Sequence, residues 1–389
     1  MTADRDDMLP YHRPWIDDEE IAAVAETLRS GWLTMGPQTF RFEAEFARFL
    51  GAPHAVAVSS CTAALALALD LLEIGPRDEV ITSTMTFTAT AAVVVHRGAR
   101  PVLVDCTADT MNIDVERAVE AVTPRTRAIL PVHRAGHPCD MDDILALARR
   151  HGLAVVEDAA HALPAAYRGR PIGTIGDLTA FSFYASKNMT TGEGGMLTTA
   201  REDWAAELRA RRLHGLSRDA WARHSPAASW RYDVAYPGYK YNMTDLNAAI
   251  GLQQLARLPH MQERQLALVG RYRERLADIA AVVPPTVRDG VESAWHVFVI
   301  RLDLPRLSIG RDEVIAALKA DGVATSVTFI PLHLHSYYRS RFGYRPEDFP
   351  NATALADAII SLPLYPRMEL GDVDRVCDAL HRIVSTHRR

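Results

Sequence analysis

Leu153-Ala-Val-Val-Glu-Asp-Ala-Ala-His161 and Leu178-Thr-Ala-Phe-Ser-Phe-Tyr-Ala-Ser-Lys187 decide the fold of this chain. Each opens with a short apolar run bounded by Gly or polar residues, the pattern of a buried strand. Each run leads into a reactive polar group, Asp158 after the first and Lys187 after the second. Open α/β sheets carry their chemistry at the carboxyl ends of strands. Asp158 and Lys187 are therefore expected to face one another across a crevice. A Gly-rich loop, Thr191-Gly-Glu-Gly-Gly195, follows the lysine.

A carboxylate and a lysine so placed suit pyridoxal phosphate (PLP). That cofactor needs a lysine to hold it as a Schiff base and a carboxylate beside its pyridine nitrogen. A buried salt bridge at two strand ends fits the same pair equally well. The lysine count narrows the choice. The chain holds 43 Lys and Arg residues, yet only Lys187, Lys240 and Lys319 are lysines. Lys319 sits on an amphipathic helix, Val314-Ile-Ala-Ala-Leu-Lys-Ala320, and is expected in solvent. Lys240 lies in an aromatic loop. Lys187 alone follows a buried strand.

The 389 residues are 48% hydrophobic and 23% charged, enough for two domains with cores of their own. The net charge of −5 and the lack of a basic stripe argue against nucleic acid as partner. The four cysteines, Cys61, Cys106, Cys139 and Cys377, form no CxxC pair, and no apolar leader opens the sequence. Both facts favour a reduced, cytoplasmic chain. The apolar run near Ala89 to Val95 is far too short to span a bilayer.

Outward from the central stretch, strands and helices alternate. Strands are expected at His54–Val58, Glu79–Ser83, Pro101–Val104 and Arg127–Val132, each followed by a helix, which implies a mostly parallel sheet covered on both faces. The N-terminal helices are expected at Pro14–Ser30 and Phe40–Leu50. Ser59-Ser-Cys-Thr62 opens the helix after the first strand. Hydroxyl residues at a helix start can bind phosphate or simply cap the helix. Phe87 can stack on a cofactor ring or belong to the core. His133, His137, Cys139 and Asp140 are metal-ligand types, but their spacing matches no common zinc pattern. Asp140 is read as the cap of a helix over Met141–Arg150.

Residues 214–241 read as an irregular loop rich in aromatics, among them Trp221, Trp230 and Tyr232. One helix is expected to end at Leu258 and another to run from His260 to about Ala280, split by Pro259. Beyond Pro284-Pro285 the expectation is a smaller α+β part. It has strands at Trp295–Leu302 and Ala324–Thr328 and helices at Arg311–Ala320, Ala352–Ile360 and Asp372–Thr386. The domains are accordingly expected as 1–258, large and cofactor-binding, and 259–389, small.

Several motifs, in order, resemble the DegT/DnrJ/StrS sugar aminotransferases: Gly31-Trp-Leu, Ser60-Cys-Thr-Ala-Ala-Leu65, Asp140-Met, Val156-Glu-Asp-Ala-Ala-His161, Phe181-Ser-Phe-Tyr-Ala-Ser-Lys-Asn188, Thr191-Gly-Glu-Gly-Gly195, Gly238-Tyr-Lys-Tyr-Asn-Met-Thr-Asp-Leu-Asn-Ala-Ala249 and Ser361-Leu-Pro-Leu364. The likeness spans nearly the whole chain. It is greatest to nucleotide-sugar C4 aminotransferases such as the aminoarabinose-forming enzyme. The resemblance implies a fold-type-I PLP enzyme, a homodimer with shared active sites. It would move an amino group from L-glutamate to the 4-keto group of a dTDP- or UDP-linked sugar. A C3 nucleotide-sugar or keto-cyclitol substrate is the alternative.

By the same resemblance Lys187 would hold the cofactor and carry protons, and Asp158 would meet the pyridine nitrogen. His161, where many members have Gln, would lie near the ring oxygen. Ser182, Thr62 and the backbone at Cys61 would hold the phosphate. Phe87 would stack on the ring, and Asn242 would reach the phosphate from a partner subunit. Arg231, Lys240, His333 and Tyr337 are candidates for the sugar nucleotide. Two positions depart from the pattern: Cys61 stands where many relatives have Gly or Ala, and Phe87 replaces a Trp. The dehydratase branch has a histidine in place of Lys187, so its presence favours transamination. A dinucleotide oxidoreductase would need GxGxxG after the first strand, where Ser59-Ser-Cys-Thr62 stands instead.

Overall fold

The computed structural model describes residues 8–216 and 232–389. The apolar runs of the first half pair edge to edge. Strands β1 (His54–Val58), β2 (Glu79–Ser83), β3 (Arg100–Val104), β4 (Thr126–Leu130) and β5 (Ala154–Asp158) are followed by two short strands, β6 (Ala166–Tyr167) and β7 (Arg170–Pro171). Then come β8 (Leu178–Ser182) and β9 (Gly195–Thr199). All but β6 and β7 form a seven-stranded sheet in the order β1-β9-β8-β5-β4-β2-β3. The run from β8 to β3 is parallel, while β9 lies antiparallel to both its neighbours. Asp158 and Ala180 sit in register on adjacent parallel strands.

Both faces are covered, and the side chains divide with period two. Ala55, Ala57, Val155 and Phe181 pack with Phe42, Phe46 and Ile144 on one face. Val56, Val58, Val156 and Ala180 pack with Leu65, Leu67 and Leu208 on the other. Parallel strands buried on both sides need continuous apolar runs, which is why these segments read so clearly.

Several boundaries differ from the sequence expectation. Asp18–Ser30 and Pro37–Leu50 are the N-terminal helices, the second beginning three residues early with Pro37 in its first turn, where proline's missing N–H loses nothing. A single helix, Asp245–Leu276, replaces the two expected around Pro259. Leu258 and Met261, on either side of the proline, are fully buried in the large core. That packing holds the helix together across the missing hydrogen bond. The same helix then enters a second core through Leu268, Val269, Tyr272 and Leu276. The two cores therefore meet inside a continuous helix, between Met261 and Leu268.

The second core is built on a three-stranded antiparallel sheet. Its strands are β10 (Val282–Val283), β12 (Phe298–Leu302) and β13 (Ile359–Leu362), in that order across the sheet. Helices Arg311–Ala320 and Leu370–Thr386 cover it. β11 (Val291–Glu292) instead extends the small β6–β7 ladder. The helix expected over Ala352–Ile360 ends at Ala356, and the apolar residues after it form β13. The strand expected at Ala324–Thr328 is an isolated bridge between Ser326 and Ser361. No helix among the described residues is long and apolar enough to cross a membrane.

Candidate active site

β5 delivers Asp158 to the carboxyl edge of the sheet, where it is only 5% exposed. Its Oδ2 accepts a hydrogen bond from Thr90 Oγ1 at 2.8 Å, and its Oδ1 one from the Ala160 N–H at 3.1 Å. Burial pushes its carboxyl pKa up. A carboxylate kept there is electrostatically expensive unless a cation joins it.

β8 leads into a tight turn. The Phe183 N–H donates to Gly194 O, and the Lys187 N–H to Tyr184 O, each at 2.9 Å. The turn places Lys187 five residues past the strand end rather than on it. Burial lowers the Lys187 ammonium to about 8, so a neutral amine is accessible near neutral pH.

Between these groups lies a cavity of ≈ 600 Å³. Cys61, Thr62, Phe87, Asp158, His161, Ser182 and Lys187 all line it. Thr62 and Ser182 stand beside the N-terminus of the helix Cys61–Leu71, whose cap, Ser60, accepts from the Ala63 N–H at 3.0 Å. Hydroxyls, N–H groups and the helix dipole together form a cradle that can hold a phosphate. A side chain on Gly195, the first residue of β9, would meet the Ser60 carbonyl carbon at 2.4 Å and the Cys61 nitrogen at 2.6 Å. Only glycine lets the strand approach the cradle so closely.

Burial pushes the Cys61 thiol well up, so it stays protonated behind the site. Its Sγ lies 3.9 Å from Asp158 Oδ1. Phe87, 57% exposed, also lines the cavity, its ring 5.6 Å from that of Phe329. His161 stacks on Phe329 and lies 4.3 Å from the ring of His296. Its Nδ1 accepts from the Ala135 N–H at 3.3 Å. Burial, with the Lys187 ammonium adding to it, holds both His161 and His296 well below the ordinary imidazole range. His12, also on the wall, is lowered to about 4 mainly by burial. Three neutral imidazoles thus surround the lysine, able to hydrogen-bond without adding charge.

Of the other candidates, Tyr337 is half exposed in a groove of ≈ 700 Å³ that shares Thr86, Phe87 and Phe329 with the cavity. His333 does not face substrate. It is fully buried, its Nδ1 2.8 Å from Thr84 Oγ1 and its Nε2 2.9 Å from Thr353 Oγ1, and it stacks on Phe349. Both ring nitrogens are occupied, so it ties Thr84, just past β2, to Thr353 near the C-terminal end of the chain. Asn242 is absent from the cavity wall and accepts from Lys240 Nζ at 2.5 Å. Arg231, Trp221 and Trp230 lie outside the described residues.

The four residues of metal-ligand type are engaged in protein contacts. His133 Nε2 bonds Glu157 Oε2 at 2.8 Å, Cys139 Sγ donates to Val132 O at 3.1 Å, and His137 Nδ1 is 2.7 Å from Pro138 O. Asp140 occupies the cap position of the helix Met141–His151 but makes no side-chain cap bond. Its carboxylate turns to Arg288 instead.

A depressed lysine, a buried carboxylate short of a cation, and a phosphate cradle between them fit PLP and not a salt bridge. The family model for DegT/DnrJ/EryC1/StrS aminotransferases matches residues 14–381. The chain belongs to this family. SpsC, a spore coat polysaccharide biosynthesis protein of Bacillus subtilis, is 53% identical over 385 residues, covering 99% of each chain. Spr1654 of Streptococcus pneumoniae, in its PMP form, superposes with a TM-score of 0.92 at 36% identity, over 97% of this chain and 99% of that one. Its PLP form gives 0.91 at 35%. PseC of Helicobacter pylori, an aminotransferase of pseudoaminic acid biosynthesis, gives 0.90 at 26%, over 97% and 100% of the two chains. This family member is a PLP-dependent sugar aminotransferase.

Two outcomes follow from the geometry. Only the neutral amine can capture PLP, so capture by the apoprotein should rise with pH through about 8 and level off above it. Stopped-flow absorbance against pH checks this. Gly195→Ala should displace the Ser60–Cys61 turn, lowering PLP affinity and destabilising the fold by about 1–3 kcal/mol. Equilibrium dialysis and urea unfolding measure the two effects.

His12 and His296 were not singled out from sequence. His296 lies in Ala294-Trp-His, a run that also resembles the C4 enzymes. His12 belongs to no motif, and only the fold brings it to the lysine.

Proposed function

We propose that the chain transfers the amino group of L-glutamate to the 4-keto group of a nucleotide-diphosphate sugar, dTDP- or UDP-linked. The observation that carries this reading is the groove at Tyr337. It opens directly from the cavity past Phe87 and Phe329 and provides ≈ 700 Å³ beyond the reacting centre. A bare keto sugar would leave that volume unused; a nucleotide attached to it would not.

PLP supplies an electron sink and a temporary carrier for the amino group. The remaining work falls to the chain. Asp158 would hold the pyridine nitrogen protonated. Thr62, Ser182 and the N–H groups at Cys61 would anchor the phosphate. Phe87 would cover one ring face. Lys187 Nζ, poised by burial, takes a proton from the donor's reacting carbon and returns it on the acceptor side. His161 hydrogen-bonds near the ring oxygen. Tyr337 and Lys240 contact the sugar nucleotide, joined by Arg231.

The active site is shared in a homodimer, with Asn242 of the partner subunit reaching the phosphate. Its place outside the cavity of its own chain supports that role. So does the exposure of Tyr184, Tyr232 and Val234, apolar area of the kind an interface covers. The large unit is taken as 1–258 and the small as 259–389, a division inside the helix Asp245–Leu276 and a few residues before the cores meet. Four free, buried cysteines favour a cytoplasmic setting. The likeness to a spore coat polysaccharide protein favours a cell-surface glycan over an antibiotic as the destination of the sugar.

The test is amination of dTDP-4-keto-6-deoxyglucose and of a UDP-4-keto-pentose with glutamate, read by mass. Product from either 4-keto sugar supports the reading. Product only from a 3-keto sugar or a keto-cyclitol overturns it.

A further inference from the structure

Asp158 is held by a chain of hydroxyls that reaches back from the sheet. Thr90 Oγ1 donates to Asp158 Oδ2 at 2.8 Å, and Thr86 Oγ1 lies 2.8 Å from Thr90 Oγ1. Thr86 and Thr90 are each 1% exposed. A hydroxyl carries one proton, and an ionised carboxylate can only accept. Thr90 therefore gives its proton to Asp158 and accepts that of Thr86, so the chain runs in one direction. Thr90 sits in the first turn of the helix Thr88–His96. A helical threonine hydroxyl often turns back to the carbonyl four residues earlier; this one is aimed at the carboxylate. The Ala160 N–H takes the other oxygen at 3.1 Å. Both oxygens are thus tied, Oδ1 also lying 3.9 Å from Cys61 Sγ, and the carboxylate so held lines the cavity.

We propose that Thr90, backed by Thr86, is a positioning residue that orients the Asp158 carboxylate toward the pyridine nitrogen of the cofactor. The inference rests on the reading of Asp158 as that nitrogen's partner. The hydrogen bond does a second thing: it favours the ionised carboxylate and so opposes the rise that burial imposes. Without Thr90 the proton shared between Asp158 and the ring shifts toward Asp158, and the ring loses part of its charge.

The experiment compares wild type, Thr90→Val, Thr90→Ser, Thr90→Ala and Asp158→Asn as PLP-loaded proteins. Two quantities are read: the PLP dissociation constant and the pH midpoint of the cofactor's visible absorbance band. Thr90→Val is nearly isosteric and removes the donor. It should raise the dissociation constant about tenfold or more, the effect of losing a hydrogen bond to a charged group. The midpoint should move up by about half a pH unit or more as the ring charge weakens. Thr90→Ser keeps the hydroxyl and should return both quantities to within about twofold of wild type. Thr90→Ala repeats the test should valine fail to fold. Unchanged values in Thr90→Val, or equal losses in the valine and serine variants, overturn the proposal. Asp158→Asn separates the two claims: if it alone moves both readouts, Asp158 keeps its role and Thr90 loses it. If it moves neither, the reading of Asp158 fails as well.

Discussion

Replacing Lys187 with alanine is expected to lower transamination turnover by about 10⁴-fold, the upper range for loss of a proton-transferring group. In the proposed mechanism the lysine has two duties, holding the cofactor and moving the proton, and no neighbour can take over either. The imidazoles of His12, His161 and His296 are near, but burial keeps them poor bases. Lys319, exposed on its helix, is the matched control, and Lys319→Ala should turn over as the wild type does. Steady-state kinetics with glutamate and a 4-keto sugar nucleotide measure both. Full turnover in the Lys187→Ala variant would remove the basis of the mechanism.

The second large effect concerns stability rather than chemistry. Arg212 is 1% exposed and pairs with Glu43, whose Oε1 also accepts from the Ala57 N–H at 2.9 Å. The Arg212 Nη1 further donates to Ala57 O at 2.7 Å. One ion pair thus ties the helix Pro37–Leu50, strand β1 and the chain leaving the helix Glu202–Arg211. Arg212→Met leaves the buried Glu43 carboxylate with the Ala57 N–H and, as its one cation among the described residues, Arg209, 3.7 Å away and partly exposed. Unfolding free energy should fall by about 3–5 kcal/mol, the range for breaking a buried pair from one side. The double variant Glu43→Leu, Arg212→Met removes the stranded charge and should recover much of that loss. Urea unfolding of the three proteins gives the numbers. Equal stability of the single and double variants would contradict this account of the pair.

The parts of the fold legible in the sequence are those whose chemistry is local. Asp158 and Lys187 could be placed because each follows a run apolar enough to be a doubly covered strand. Ser59-Ser-Cys-Thr62 reads as a helix start because small hydroxyl residues precede a strongly helical run, and Ser60 is the residue that caps it. What escaped depends on contacts distant in sequence. Pro259 signals a break by itself, but Leu258 and Met261 are packed tightly enough to carry the helix through it. Ile359–Leu362 looks like the continuation of a helix until its partner, Phe298–Leu302, is known. His333 is a substrate-contact candidate by the resemblance alone; Thr84, far away along the chain, and Thr353 decide its role. Thr90 was one of several threonines between residues 84 and 90, and only its approach to Asp158 distinguishes it.

The central claim is that a single amine and a single carboxylate hold the cofactor between them. Because the chain has only three lysines, one measurement addresses it directly. The PLP-loaded protein is reduced with borohydride, digested and mapped by mass spectrometry. The account predicts the pyridoxyl label on the peptide bearing Lys187, with Lys240 and Lys319 unlabelled. A label on either of those two, or none on Lys187 in protein that retains PLP, would contradict it.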